Sequence, residues 1–287
     1  MPSLKEIRGR IHSVSSIMQI TGAMKMVSAA KLKRAQNAVV RVRPYADKIK
    51  QLLRRLCLVV GEDELQQYTV APSSDKILLI VITSNRGLCG AFNASIVREI
   101  FRLESEVYPQ KEIFLLTIGK KGKALLVKKY PLYMDRSDLF EDLRFENISD
   151  LKDDLIKECL RGAFSTVQLV YNRFKNVGLQ EVTTEQFFPI IEEENKRSED
   201  VQDCIFEPSK EIFFDHLVPK AFKVQLFRAL LESCASEHSA RMTAMHKATE
   251  NASDLRSDLM LTYNKARQAS ITKEILEILS GAEALNG

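Results

Sequence analysis

The sequence predicts an α/β protein: a long antiparallel coiled coil of N- and C-terminal helices with a small doubly wound α/β domain inserted between them. Three observations predict it. Apolar residues recur about every 3.5 positions through the first 57 residues, the pattern changes to β-branched runs in the middle, and helical spacing returns from about residue 210. Of the 287 residues, 45% are hydrophobic and 28% charged, which fits a packed core and excludes a disordered chain.

The first segment, residues 3–57, reads as one helix. Alternating steps of four and three give Ile7, Ile11, Val14, Met18, Thr21, Lys25, Ser28, Leu32, Ala35, Val39, Val42, Ala46, Ile49, Leu53 and Leu56. Twelve of these fifteen are apolar, a regularity that implies a left-handed coiled coil rather than an ordinary globular helix. Pro2 suits a helix start, where a missing N–H costs nothing. Pro44 falls inside the pattern, and the seam resumes in phase at Ala46, so a kink is expected there rather than an end. At Thr21, Lys25 and Ser28 the seam turns polar while Met24, Met26 and Val27 crowd its flanks. This reads equally as a packing stutter or as a place where the outer face meets a changing partner, since Met adapts to varied surfaces.

The middle segment, residues 75–208, is the inserted domain. KILLIVITS (76–84) is a continuous apolar run bounded by turn residues, the signature of a fully buried parallel strand. Asn93 is placed to cap a helix running through Glu106, and EIFLLTIG (112–119) reads as the next strand. Ser149 is expected to cap an amphipathic helix carrying Leu151, Leu155 and Cys159. VQLVYNRF (167–174) and VTTEQFFPI (182–190) read as later strands, the last at an edge because of Pro189. Alternation of this kind implies a doubly wound sheet. Residues 192–203 are polar and read as a loop.

The third segment, residues 209–287, is helical, with Leu255, Leu259, Thr262, Ala266 and Ala269 expected on its seam and Ile271, Ile275 and Ile278 on an adjacent stripe. At 1.5 Å per residue the two terminal helices reach about 80 and about 110 Å, too long for the inserted domain to cover. They are therefore expected to pair, as a first helix over 1–58 and a last over 209–287, with the longer end projecting into another protein. That end is rich in Ala, Ser, Met and Thr, a smooth surface with isolated polar handles at Arg241, Arg267, Gln268, Thr272 and Glu274.

Charge is partitioned along the chain. Residues 1–56 hold 13 Lys/Arg against Glu6 and Asp47, and residues 137–216 hold 19 Asp/Glu against 9 Lys/Arg. A basic first fifth fits an acidic partner, whether an acidic protein surface, an anionic lipid or a nucleic acid, although charge alone favours a solvated helix face. The longest apolar run, Ile77 to Ile82, is too short to span a bilayer, which needs about twenty residues. The five cysteines are scattered without a CxxC, and the four histidines (His12, His216, His238, His246) show no metal-ligand spacing and read as surface helix positions. SNRGLCG (84–90) follows a strand and precedes a helix, but no GxxxxGK[ST] or GxGxxG is present, so it reads as a tight turn. Lys120, Lys121 and Lys123 read as a solvated basic rim. No catalytic constellation, cofactor site or metal site emerges.

Five stretches then resemble one family in order and spacing: KEIRGRIHSV…ITGAMKMVSAAKLKRAQ (5–36), RPYA (43–46), SNRGLCGAFN (84–93), SARMTAMHKATENA (239–252) and YNKARQASITKEILEILSGA (263–282). They are similar to the gamma subunits of F-type ATP synthases, and Ile271, Thr272, Glu274, Glu277, Gly281 and Ala282 meet that family's C-terminal signature. The resemblance implies a non-catalytic rotor shaft turning inside a hexamer of alternating alpha and beta subunits. Its α/β foot would sit on the membrane ring of c subunits beside epsilon, with no nucleic acid and no cofactor involved. It also implies that Met24, Lys25, Arg241, Arg267, Gln268, Thr272 and Glu274 touch the catch and lever regions of beta. The stretch near 195–205 lacks the paired cysteines of the chloroplast form, and the short N-terminus lacks a transit peptide. The expectation is therefore a bacterial chain without a thiol switch, at the cytoplasmic face of the plasma membrane. The competing readings are a nucleic-acid-binding coiled coil and a nucleotide-dependent enzyme.

Overall fold

The computed structural model describes residues 3–57, 68–190 and 210–286. The expected polar loop at 192–203 lies outside the described residues. Contacts divide the chain into two compact units, residues 1–28 with 242–287 and residues 29–241. Both terminal helices, α1 (Leu4–Cys57) and a last helix over Lys210–Asn286, run through both units. The larger unit thus contains residues 29–57 and 210–241 as well as the inserted segment.

In the larger unit the strands are β1 (Lys76–Ile82), β2 (Glu112–Ile118), β3 (Leu132–Asp135), β4 (Thr166–Phe174) and β5 (Gln180–Phe188). Their order is β3-β2-β1-β4-β5, with β5 alone antiparallel. β1 is central, parallel to β2 and β4, and buried from Ile77 onward, as its unbroken apolar run requires. Between the strands lie α2 (Phe92–Arg102), prolonged by a π-turn over Leu103–Val107, α3 (Lys120–Leu126) and α4 (Ser149–Leu160). We call the C-terminal helix α5. One sheet face packs Ile77, Leu79 and Val81 against Phe92, Ile96 and Ile100 of α2 and Leu126 of α3. The other packs Leu78, Ile80 and Ile82 with Leu151 and Leu155 of α4 and with Phe214, Phe222 and Leu230 of α5. Helices on both faces make the domain doubly wound. β5 is the edge strand that Pro189 called for.

Two caps differ from expectation. Asn93 lies inside α2 and its Oδ1 accepts the Ser84 amide at 3.0 Å. Ser149 begins α4 without a side-chain cap, because its hydroxyl meets Lys223 Nζ at 2.6 Å. In both cases a tertiary partner outcompetes the local amide.

The helix pairing can be followed in each unit separately. In the larger one Arg43 meets Glu232 and Asp47 meets Arg228, so a step forward in α1 is a step back in α5. In the smaller one Thr21 meets Thr249 and Lys25 meets His246, again antiparallel. Every seam position of α1 from Ile7 to Leu53 is buried or half-buried, and every fully buried residue of α1 belongs to it. Pro44 interrupts neither helix nor seam, since Ala46 and Ile49 beyond it are buried.

The seam of α5 needs correction. From Met245 it runs through Thr249, Ala252, Arg256, Leu259, Tyr263, Ala266 and Ser270, whereas Leu255, Thr262 and Ala269 face outward. Leu259 and Ala266 lie on the seam as expected, but Arg256, Tyr263 and Ser270 take the places read for Leu255, Thr262 and Ala269, because polar seam residues carry no apolar signal. From Ile271 to Ala282 every residue is exposed.

Candidate functional site

The carboxyl ends of parallel strands are where a doubly wound sheet ordinarily takes a ligand. Here that crevice is filled by the protein itself. The backbone amides opening α3 are already bonded: Gly119 to Ser137 Oγ at 3.2 Å, Lys120 to Asn85 Oδ1 at 3.0 Å, Lys121 to the Ser84 carbonyl at 3.1 Å and Gly122 to Thr83 Oγ1 at 2.9 Å. These are the donors a phosphate would need. Gly119, at φ +123°, sits so close that a Cβ would lie 2.1 Å from the Thr83 carbonyl oxygen. Ser84 bonds Asn93 and contacts Cys89, and a histidine or acid in reach of it is not among its contacts. The turn at 84–90 is a packed joint.

Arg241 belongs to that joint. The residue is 8% exposed, and its guanidinium pairs with Glu237 at 2.7 Å and donates to the carbonyls of Arg86 and Gly87. Burial raises the pKa of Glu237, and burial followed by the charges of Arg241 and Lys31 lowers that of His238 to about 4. His238 is half-buried, a correction to its reading as a surface position.

In the smaller unit the polar break in the α1 seam has internal partners. The Thr249 hydroxyl bonds that of Thr21 at 2.8 Å, Lys25 Nζ lies 3.1 Å from His246 Nδ1, and the Ser28 hydroxyl donates to the Met24 carbonyl. Polar groups facing each other in a seam fix register at some cost in stability. Met24 is half-buried beside this break. It stands on a second stripe with Ile17, Ile20 and Val27, which are 51%, 59% and 57% exposed. Ile17 and Ile20 escaped the sequence reading, although the same 3-4 spacing, begun at Ile17, finds them. On α5, Arg267, Gln268, Thr272 and Glu274 are exposed. Thr272 bonds back to the Gln268 carbonyl, and Glu274 accepts from Ser270. The structure thus brings Met24 next to Lys25 and Gln268 next to Thr272, and places Arg241 in the packed joint.

The comparisons decide what such a chain is. The family described as ATP synthase matches residues 3–285. The ATP synthase gamma chain of Flavobacterium johnsoniae is 51% identical over 287 residues, covering all of both chains. The chain belongs to the ATP synthase gamma chain family. A central stalk chain of the Tetrahymena thermophila mitochondrial ATP synthase is similar at 27% identity and a TM-score of 0.60, covering 80% of this chain and 99% of that one. A chain of the Euglena gracilis mitochondrial ATP synthase shares the fold at a TM-score of 0.67 and 22% identity, covering 98% of this chain and 94% of the other. Membership displaces the reading as a nucleic-acid-binding coiled coil. It also agrees with a gamma chain's place as a non-catalytic central stalk subunit. Among the described residues no helix is long and apolar enough to cross a membrane.

Proposed function

We propose that this gamma chain is the central rotor shaft of an F-type ATP synthase, turning inside a hexamer of alternating alpha and beta subunits and coupling proton flow through the c-ring to the beta-subunit sites. The observation that carries the reading is the end of α5. Ile271, Ile275 and Ile278 are 47%, 51% and 71% exposed on a stretch that its own chain leaves uncovered. Such a stripe needs an enclosing partner, and a hexamer around a central stalk supplies one. An asymmetric helix inside three otherwise equivalent sites must favour a different conformation in each, which moves their nucleotide affinities as it turns. The shaft therefore needs no chemistry of its own.

Residues 1–58 and 209–287 are the shaft and 75–208 the foot, which rests on the c-ring beside epsilon. The solved Tetrahymena stalk was described together with its c-ring. Met24, Lys25, Arg267, Gln268, Thr272 and Glu274 are the residues that meet the catch and acidic lever of beta. Arg241, which the resemblance also assigns to that contact, instead holds the turn at 84–90. The complex lies at the cytoplasmic face of a bacterial plasma membrane. The test is capture of the tagged chain from native membranes: nucleotide-binding alpha and beta subunits, epsilon and subunit c are expected together. Recovery of nucleic acid, or of the chain alone, would refute the reading.

A further inference from the structure

The larger unit contains an ion network, centred on a buried carboxylate and open to solvent at Arg173 and Asp47, that neither the packed turn nor the shaft surface uses. Glu232 of α5 has a side chain only 2% exposed, yet it faces two cations, Arg43 of α1 at 3.1 Å and Arg173 of β4 at 3.7 Å. Arg43 also donates to the Phe174 carbonyl at the end of β4, at 2.6 Å. One turn earlier on α5, Arg228 is held by both oxygens of Glu185 on β5 at 2.9 and 3.1 Å and reaches Asp47 of α1 at 3.3 Å. The Tyr171 hydroxyl of β4 donates to the same Glu185. Three guanidinium groups thus meet three carboxylates, and together they tie α1, α5, β4 and β5 at adjacent turns of one helix.

Apolar side chains would fill this space without the cost of dehydrating charge, and replacing a buried ion pair by them is often stabilising. Stability is therefore a poor reason for the network. Its geometry offers another. Around it the helices meet the domain through small buried residues such as Ala229 and Ser236 and through the large apolar Phe222, Leu226 and Leu230. Such apolar contact is non-directional and holds the elements together without itself fixing a bond direction. Guanidinium hydrogen bonds to a carboxylate or a carbonyl are directional and weaken steeply when misaligned. They add a directional resistance to sliding and axial rotation that apolar contact lacks.

We propose that the ties Arg43–Glu232–Arg173 and Arg228–Glu185 form the torsional joint that makes the paired helices and the sheet turn together, with Arg43, which bonds α5 and β4 at once, as its positioning residue. The inference rests on the rotor reading. Its experiment uses the whole purified complex, with the hexamer fixed to a surface and a bead attached to the sheet unit. Angular fluctuation of the bead is recorded while rotation is stalled. Glu232→Gln keeps the shape of the side chain and removes its charge; Arg43→Lys keeps the charge and loses the fork that bonds Glu232 and the Phe174 carbonyl at once. Both complexes should hydrolyse ATP without load at the unaltered rate, while the torsional stiffness falls about twofold because one of two parallel ties is lost. Asp47→Asn, whose partner bond is at the exposed rim, should change the stiffness little. Unaltered stiffness in assembled Glu232→Gln and Arg43→Lys would overturn the joint while leaving the rotor reading intact. Failure of both variants to assemble would make the network a folding element and would equally overturn it. Absence of hexamer and ring from the unaltered complex would refute the rotor reading instead.

Discussion

Met24 lies where the seam and the outer apolar stripe of α1 meet, with Lys25 turned toward His246 beside it. Met24→Lys would present a flexible cation to the acidic lever that we place opposite it. An ion pair in a partly dehydrated interface would hold one rotary position more tightly by about 1–3 kcal/mol, which raises the barrier to leaving that position. The complex should assemble, because Lys and Met are similar in length and both favour helix. Its proton pumping per ATP hydrolysed, measured in membrane vesicles, should fall, and Met24→Leu should be nearly silent. Equal loss in both variants would assign the effect to packing rather than charge. His238 supports a prediction of different kind. Its folded pKa, about 4, lies below the ordinary histidine value, with burial as the main cause. The folded state therefore binds fewer protons than the unfolded one between about pH 6.5 and 4, and the stabilisation present above that window is lost as pH falls through it. Neighbouring Glu237, with a raised pKa, opposes this in the same region, so the contribution is read as a difference. Urea unfolding of the wild type should weaken more between pH 6.5 and 4 than that of His238→Gln; parallel curves would contradict the assignment.

Among the elements, the β1–α3 joint is the most tightly specified. Gly119 is the one position of that turn where a side chain would strike backbone, and its φ of +123° is itself costly for any other residue. Gly119→Ala should destabilise the chain by about 2–4 kcal/mol in urea unfolding, through strain and overpacking together. Retention of full stability would mean that Thr83 can move aside. The long helices depend on each other in the same way. A chain ending at residue 208 lacks α5, and α1 then has no surface on which to bury Ile7, Val14, Leu32 and Val39. Its circular dichroism should show loss of most α1 helicity, since an unpaired helix is held mainly by packing. These elements also show what a sequence can and cannot reveal. β1 was legible because a fully buried strand has nothing but apolar residues to offer, and the α1 seam because its period persists for seven heptads. β3 was not, as Leu132–Asp135 is only four half-buried residues after a proline. α3 was hidden because its lysines imitate a solvated rim, although Lys123 pairs with Asp135 at 2.7 Å. The α5 seam was misplaced because Thr249, Arg256 and Ser270 carry no apolar signal. Of the candidate contact residues, Met24 and Lys25 announced themselves by breaking a pattern. The buried role of Arg241 depends on two carbonyls more than 150 residues away in sequence, and no local pattern encodes it.

For the molecule as a whole, the account assigns torque to this chain and nucleotide chemistry to its partners. The isolated chain should therefore neither bind ATP stoichiometrically in calorimetry nor hydrolyse it, because the amides at the sheet's carboxyl end are already bonded within the protein. Turnover that responds to substitution of Lys120 or Lys123 would contradict this. Salt should weaken assembly with the hexamer, since residues 1–56 carry thirteen cations, a charge that suits the acidic partner proposed for them. The most direct test is rotation itself. With the hexamer immobilised and a bead on the sheet unit of this chain, ATP should drive unidirectional rotation with pauses that repeat with the hexamer's threefold symmetry. ATP hydrolysis at full rate with the bead stationary or merely diffusing would contradict the central claim that this chain is the turning shaft.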